Sequence, residues 1–97
     1  MTAFTALYLP LYTDSLYTGF YPIEPVQSVY IQPLPEATNV FVFLSQNHYD
    51  DALMDNLLDK EADILDRHPE TLFNFHYLPL LNAVPTVPQN AALIFSR

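Results

Sequence analysis

The sequence predicts a small α+β domain: a mixed β-sheet of about five strands, with one amphipathic, strongly acidic helix (about residues 50–67) in a βαβ unit packed on one face. Three observations predict it. Short β-branched and aromatic runs end at prolines. One long central stretch repeats apolar residues at helical spacing. Apolar residues make up 51% of the chain, and seven Phe and seven Tyr supply large buried area to a modest core. At 97 residues the chain is expected to be one domain, residues 1–97.

Phe4–Leu9 reads as a strand that stops at Pro10. Residues 11–26 contain Tyr12, Tyr17, Tyr21, Gly19, Pro22 and Pro25, and read as an extended loop or edge segment. Ser28–Gln32 is a second strand, ended by Pro33 and Pro35. Asn39–Leu44 is a continuous apolar run, the pattern of a strand buried on both faces. Leu72–Leu78 alternates, placing Phe73, Phe75 and Tyr77 on one face and Asn74 and His76 on the other. A loop spans residues 79–90, and Ala91–Phe95 closes the sheet. Strand 39–44, helix 50–67 and strand 72–78 have βαβ lengths, so a right-handed crossover would make the two strands parallel. The shared Tyr-Leu-Pro-Leu at residues 8–11 and 77–80 is read as coincident strand-end chemistry.

The helix has start and stop signals. Asn47 can cap it, Asp50 and Asp51 suit the positive end of its dipole, and Arg67, His68 and Pro69 suit its end. At about 100° per residue, Leu53, Met54, Leu57, Leu58, Ile64 and Leu65 fall on one side, the expected packing face. Opposite them run Asp51, Asp55, Asp59 and Asp63, four residues apart, with Asp66 three further on. Only Asp63 and Arg67 have the favourable acid-then-base arrangement.

Eleven acids against three bases give a net charge of −8. Eight of those acids lie in residues 50–70. Such a chain disfavours nucleic acid and anionic membranes, and favours basic surfaces in a salt-sensitive way. No apolar run approaches the roughly 20 residues of a membrane span. Met1–Tyr12 lacks the basic start of a signal peptide, and cysteine is absent. The expected setting is therefore cytoplasmic.

Like charges four apart cost about 0.2–0.5 kcal/mol per pair, and Asp is a poor helix former. A helix kept only soluble could interleave Lys or use Glu. The rung spacing of about 6 Å is close to that of successive phosphates, so the stripe suits a row of Lys or Arg on a nucleic-acid-binding protein. The competing reading is a solvated face retained for solubility.

Glu61 projects into the apolar side. Three readings stand: it escapes to water at a domain edge, it pairs with a base or accepts hydrogen bonds from Tyr or backbone, or it lines a functional pocket. The tyrosines Tyr8, Tyr12, Tyr17 and Tyr21 either fold over the sheet as core or form a protein contact, such as a homodimer.

Chemistry-bearing patterns are weak. His48 and His68 fall at opposite ends of the helix, about 27 Å apart by its rise, and do not share a metal. Gly19 is the only glycine, which excludes a nucleophile elbow and a phosphate loop. No cofactor is expected, and the chain is not expected to be an enzyme. The function expected is a small inhibitor or nucleic-acid mimic, of the phage or immunity-protein kind. It would engage a basic protein partner through Asp51, Asp55, Asp59, Asp63 and Asp66. The alternative is an assembly subunit self-associating through Tyr17 and Tyr21.

Overall fold

A computed structural model describes residues 12–45, 50–79 and 87–97. Over these residues the chain is a small α+β domain with a four-stranded mixed sheet and two helices. The expected strand at Phe4–Leu9 and the expected cap Asn47 lie outside the described residues.

The first element corrects the sequence reading. Tyr12–Phe20 is a helix, α1, not an extended loop. Its Tyr12, Leu16 and Phe20 recur every four residues and are all buried, so burial of one stripe decides the conformation. Asp14 lies in the first turn, where the dipole favours an acid. Thr18 Oγ1 donates to the Asp14 carbonyl at 2.9 Å, which keeps the hydroxyl satisfied inside the helix. Pro22 then ends the run, and Ile23 N–H closes the turn onto the Phe20 carbonyl at 3.0 Å.

The strands follow the proline-bounded runs closely. They are β1 (Val26–Pro33), β2 (Thr38–Leu44), β3 (Phe73–Pro79) and β4 (Ala92–Ser96). The second helix, α2, spans Asp51–Arg67. The sheet order is β3-β2-β1-β4. β1 pairs antiparallel with β2 and with β4. β2 and β3 run parallel from Thr38–Phe73 to Leu44–Pro79, and α2 lies between them in the chain. The inner position of β2 explains its near-continuous apolar sequence: Val40, Val42, Phe43 and Leu44 are all buried.

Both helices pack on one face of the sheet. Tyr12, Leu16 and Phe20 of α1 and Leu53, Leu57 and Ile64 of α2 form one core with Val29, Ile31, Val40, Val42 and Phe95. Phe73, Phe75 and Tyr77 of β3 border that core, as their alternation predicts, while Asn74 and His76 are exposed. The helices meet at Gly19, where an added Cβ would sit 3.6 Å from Ile64 Cδ1, an ordinary contact.

On the opposite face the register sets Tyr30 beside Phe41 and Phe41 beside His76. The Phe41 and His76 rings stack at 5.1 Å, and Tyr30 meets Phe43 edge-on at 5.8 Å. Gln32 links Asn39 and Asn90 through its amide, at 2.9 and 2.8 Å.

Candidate protein-binding surface

Helix α2 begins where its backbone donors find an acceptor. The cap is Asp50 rather than Asn47: Asp50 Oδ1 accepts from Ala52 N–H at 3.0 Å and Leu53 N–H at 3.2 Å. The carboxylate does this in extended backbone geometry, with φ −128°. At the other end His68 N–H bonds the Ile64 carbonyl at 3.1 Å.

All five predicted ladder residues, Asp51, Asp55, Asp59, Asp63 and Asp66, are exposed. Asp63 differs from the others, because its Oδ2 lies 3.3 Å from Arg67 Nε. An exposed pair of this kind contributes little stability, but it places a cation beside that rung. Arg97 is committed elsewhere. Its guanidinium donates to the carbonyls of Val26 at 2.7 Å and Ile23 at 3.2 Å, and to that of Tyr21.

The buried side of α2 is narrower than the sequence pattern suggests. Leu53, Leu57 and Ile64 are buried, but Leu58 and Leu65 are 51% and 40% exposed. Their expected place in the packing face is therefore corrected. By the helical repeat, the buried stripe is turned about 50° from the centre of the apolar set. The cause is α1, which packs beside α2 and draws Ile64 towards Gly19. A single-helix reading of the sequence had no second helix to turn towards.

That turn also accounts for Glu61. It lies at the border of the buried stripe, half-exposed, and its Oε2 accepts from Tyr77 Oη at 2.9 Å. Of the three readings of Glu61, hydrogen bonding to a tyrosine is the one observed. Burial, then the Glu61 charge and the hydrogen bond to it, push the Tyr77 phenol far above the ordinary tyrosine value. A neutral phenol beside a carboxylate is a donor, so the pair anchors α2 to β3.

Tyr17 and Tyr21 lie on α1 and just beyond it, and are 41% and 43% exposed. Their rings stack at 5.0 Å, and both meet Phe95 of β4 edge-on. The Arg97 guanidinium sits 4.5 Å from the Tyr21 ring centre. Because β4 and β3 are opposite edges of the sheet, this aromatic group and the Glu61–Tyr77 anchor are at opposite sides of the domain. The acidic ladder and the tyrosine pair are thus two surfaces, not one.

Two further arrangements had no sequence signal. Ser15 Oγ and His68 Nε2 are 2.9 Å apart, joining α1 to the end of α2 across 53 residues. Tyr12 meets the His68 ring edge-on at 6.3 Å. A shallow concavity of about 300 Å³ lies between residues 34–38 and 70–72, with Glu36 and Glu70 in its wall. It does not include Glu61. Among the described residues no group of three or more His, Asp or Glu side chains converges as a metal site. His48 lies outside the described residues. No helix among the described residues is long and apolar enough to cross a membrane. Comparison of the chain with known protein families, curated proteins and solved structures found no match.

Proposed function

We propose that this protein is a small, non-catalytic binding protein whose α2 acidic face engages a basic surface on a partner protein, acting as an inhibitor or nucleic-acid mimic in the cytoplasm. One observation carries the reading: Asp51, Asp55, Asp59 and Asp66 are all exposed along one side of a helix whose opposite side is anchored in the core. Repulsion between neighbours costs stability, yet no Lys or Arg is interleaved on that side. A rigidly held row of carboxylates presents its charge without the entropy cost of ordering a flexible tail. The reading treats β2, α2 and β3 as a βαβ unit that holds the ladder over the sheet.

The test is binding to the partner by a variant carrying Asp55→Asn, Asp59→Asn and Asp66→Asn. Asp63 is left out because Arg67 already pairs with it. Binding should be lost while the circular dichroism spectrum is kept. Unchanged affinity would overturn the reading.

A second reading keeps one favouring observation, the exposure of Tyr17 and Tyr21 at the β4 edge. On it the chain self-associates through that pair. Sedimentation would then give a salt-insensitive oligomer that Tyr17→Ala or Tyr21→Ala dissociates. A monomer at high concentration would exclude it.

A further inference from the structure

The exposed leucines of α2 give the proposed partner a shape. Leu58, Glu61, Ala62 and Leu65 occupy positions i, i+3, i+4 and i+7 of one helix. Four residues at this spacing form a diamond-shaped hole that accepts one side chain of a facing helix. Leu58 and Leu65 are 51% and 40% exposed, and lie about 10 Å apart along the axis. Ala62 is exposed and small, so the centre of the hole is open. Glu61 is held at its border by Tyr77. The half-buried Met54 extends the same stripe one turn earlier.

Beside this stripe run Asp51, about 20–40° from Leu58 and Leu65, and Asp55, about 60–80° from them, with Asp66 about 80–100° round on the same side, by the helical repeat. An apolar groove bordered by a row of acids is complementary to an apolar stripe bordered by a row of bases. We infer that α2 docks an amphipathic helix of the partner, with an aliphatic side chain seated between Leu58 and Leu65 and Lys or Arg side chains facing Asp51, Asp55 and Asp66. This rests on the acidic-face reading and sharpens it. A partner groove built only to bind phosphates would have no use for two exposed leucines. A second copy of this chain is a poor occupant, because its α2 would bring one Asp row against another.

The probes are three labelled synthetic peptides. One is a helix with a leucine stripe flanked by lysines. One is a scramble of the same composition. One is an oligolysine of equal charge. Each is titrated by fluorescence anisotropy into wild type, the Leu58→Gln/Leu65→Gln variant and the Asp51→Asn/Asp55→Asn/Asp66→Asn variant. Both leucines are exposed, so the polar replacements should leave the circular dichroism spectrum unchanged.

The amphipathic peptide should bind wild type at least tenfold tighter than the scramble. The leucine variant should lose that tenfold and keep its affinity for oligolysine. The aspartate variant should lose affinity for all three. Equal binding of the amphipathic peptide by wild type and the leucine variant would overturn the helix-docking inference while leaving the acidic-face reading intact. Unchanged oligolysine and amphipathic binding by the aspartate variant would instead overturn the acidic-face reading. A wild-type dimer that the leucine variant dissociates would replace the partner helix with a second copy and overturn the inference.

Discussion

Replacing Asp59 by Asn should stabilise the protein, and the gain should vanish in salt. Asp59 has acidic neighbours four residues away on both sides, Asp55 and Asp63, and all three are exposed. Each like-charged pair at this spacing costs about 0.2–0.5 kcal/mol, so removing one charge relieves about 0.4–1 kcal/mol at low ionic strength. The Arg67 cation beside Asp63 draws the value towards the lower half. Asn and Asp have similar helix propensities and shapes, so little else changes. With a urea dependence of about 1.2 kcal/mol per molar, the denaturation midpoint should rise by about 0.3–0.8 M in dilute buffer. At 1 M salt the screening length falls to about 3 Å, shorter than the separation of the side chains, and the gain should largely disappear. Asp51→Asn should behave differently. Asp51 has one such neighbour and sits in the first turn, where the helix dipole stabilises an acid. Its replacement should be neutral or mildly destabilising. An Asp59→Asn midpoint that is unchanged or lower in dilute buffer, or a gain that persists at 1 M salt, would refute the reasoning. An unchanged or lower midpoint would mean that the ladder carries no stability cost and that solubility alone accounts for it, and a gain that survives salt would mean that the cost of Asp59 is not charge repulsion.

Other outcomes follow from the packing. Tyr77→Phe should cost about 1–2 kcal/mol in urea denaturation, because Glu61 loses its donor while half-buried. Tyr77 is also raised in the fold relative to the unfolded chain. Its contribution is therefore fully present below about pH 10, the unfolded tyrosine value, and is lost as pH rises above it. Alkaline destabilisation should be steeper in wild type than in Tyr77→Phe, and parallel pH profiles would contradict this. Leu57→Ala removes a fully buried side chain and should cost about 2–5 kcal/mol, read from the thermal or urea midpoint. Gly19→Ala should stabilise by about 0.5 kcal/mol, since the added methyl meets Ile64 at ordinary contact distance and the helix loses a glycine. A lower melting temperature for Gly19→Ala would show that the helices need a closer approach than this.

The four observed strands were legible because their sequences follow two simple rules. Alternation or a continuous apolar run marks the strands, and proline closes β1 and β3. Phe73, Phe75 and Tyr77 border the core, as their period of two requires. α2 was legible from its length and acidic first turn, though its cap was assigned three residues early. α1 was not read as a helix because Gly19, Pro22 and Pro25 outweighed a short stripe of Tyr12, Leu16 and Phe20. That omission propagated. The orientation of α2 depends on α1, so the exposure of Leu58 and Leu65 could not be read from α2 alone. A tyrosine donor to Glu61 was among the sequence readings, but which tyrosine depends on β3 running parallel to β2 under the helix, which carries Tyr77 there. The Ser15–His68 contact joins residues far apart in sequence, with no motif around either.

The acidic stripe was the most local feature and was read most fully, since the helical repeat alone places its members. Whether it binds is the central claim, and the most direct measurement is affinity capture from a lysate of the organism that makes the protein. Wild type and the Asp55→Asn/Asp59→Asn/Asp66→Asn variant are compared at low and high salt, with the retained proteins identified. The account predicts a basic protein held by wild type at low salt, released at high salt and absent from the variant. The same proteins held by both forms at both salt concentrations would contradict it.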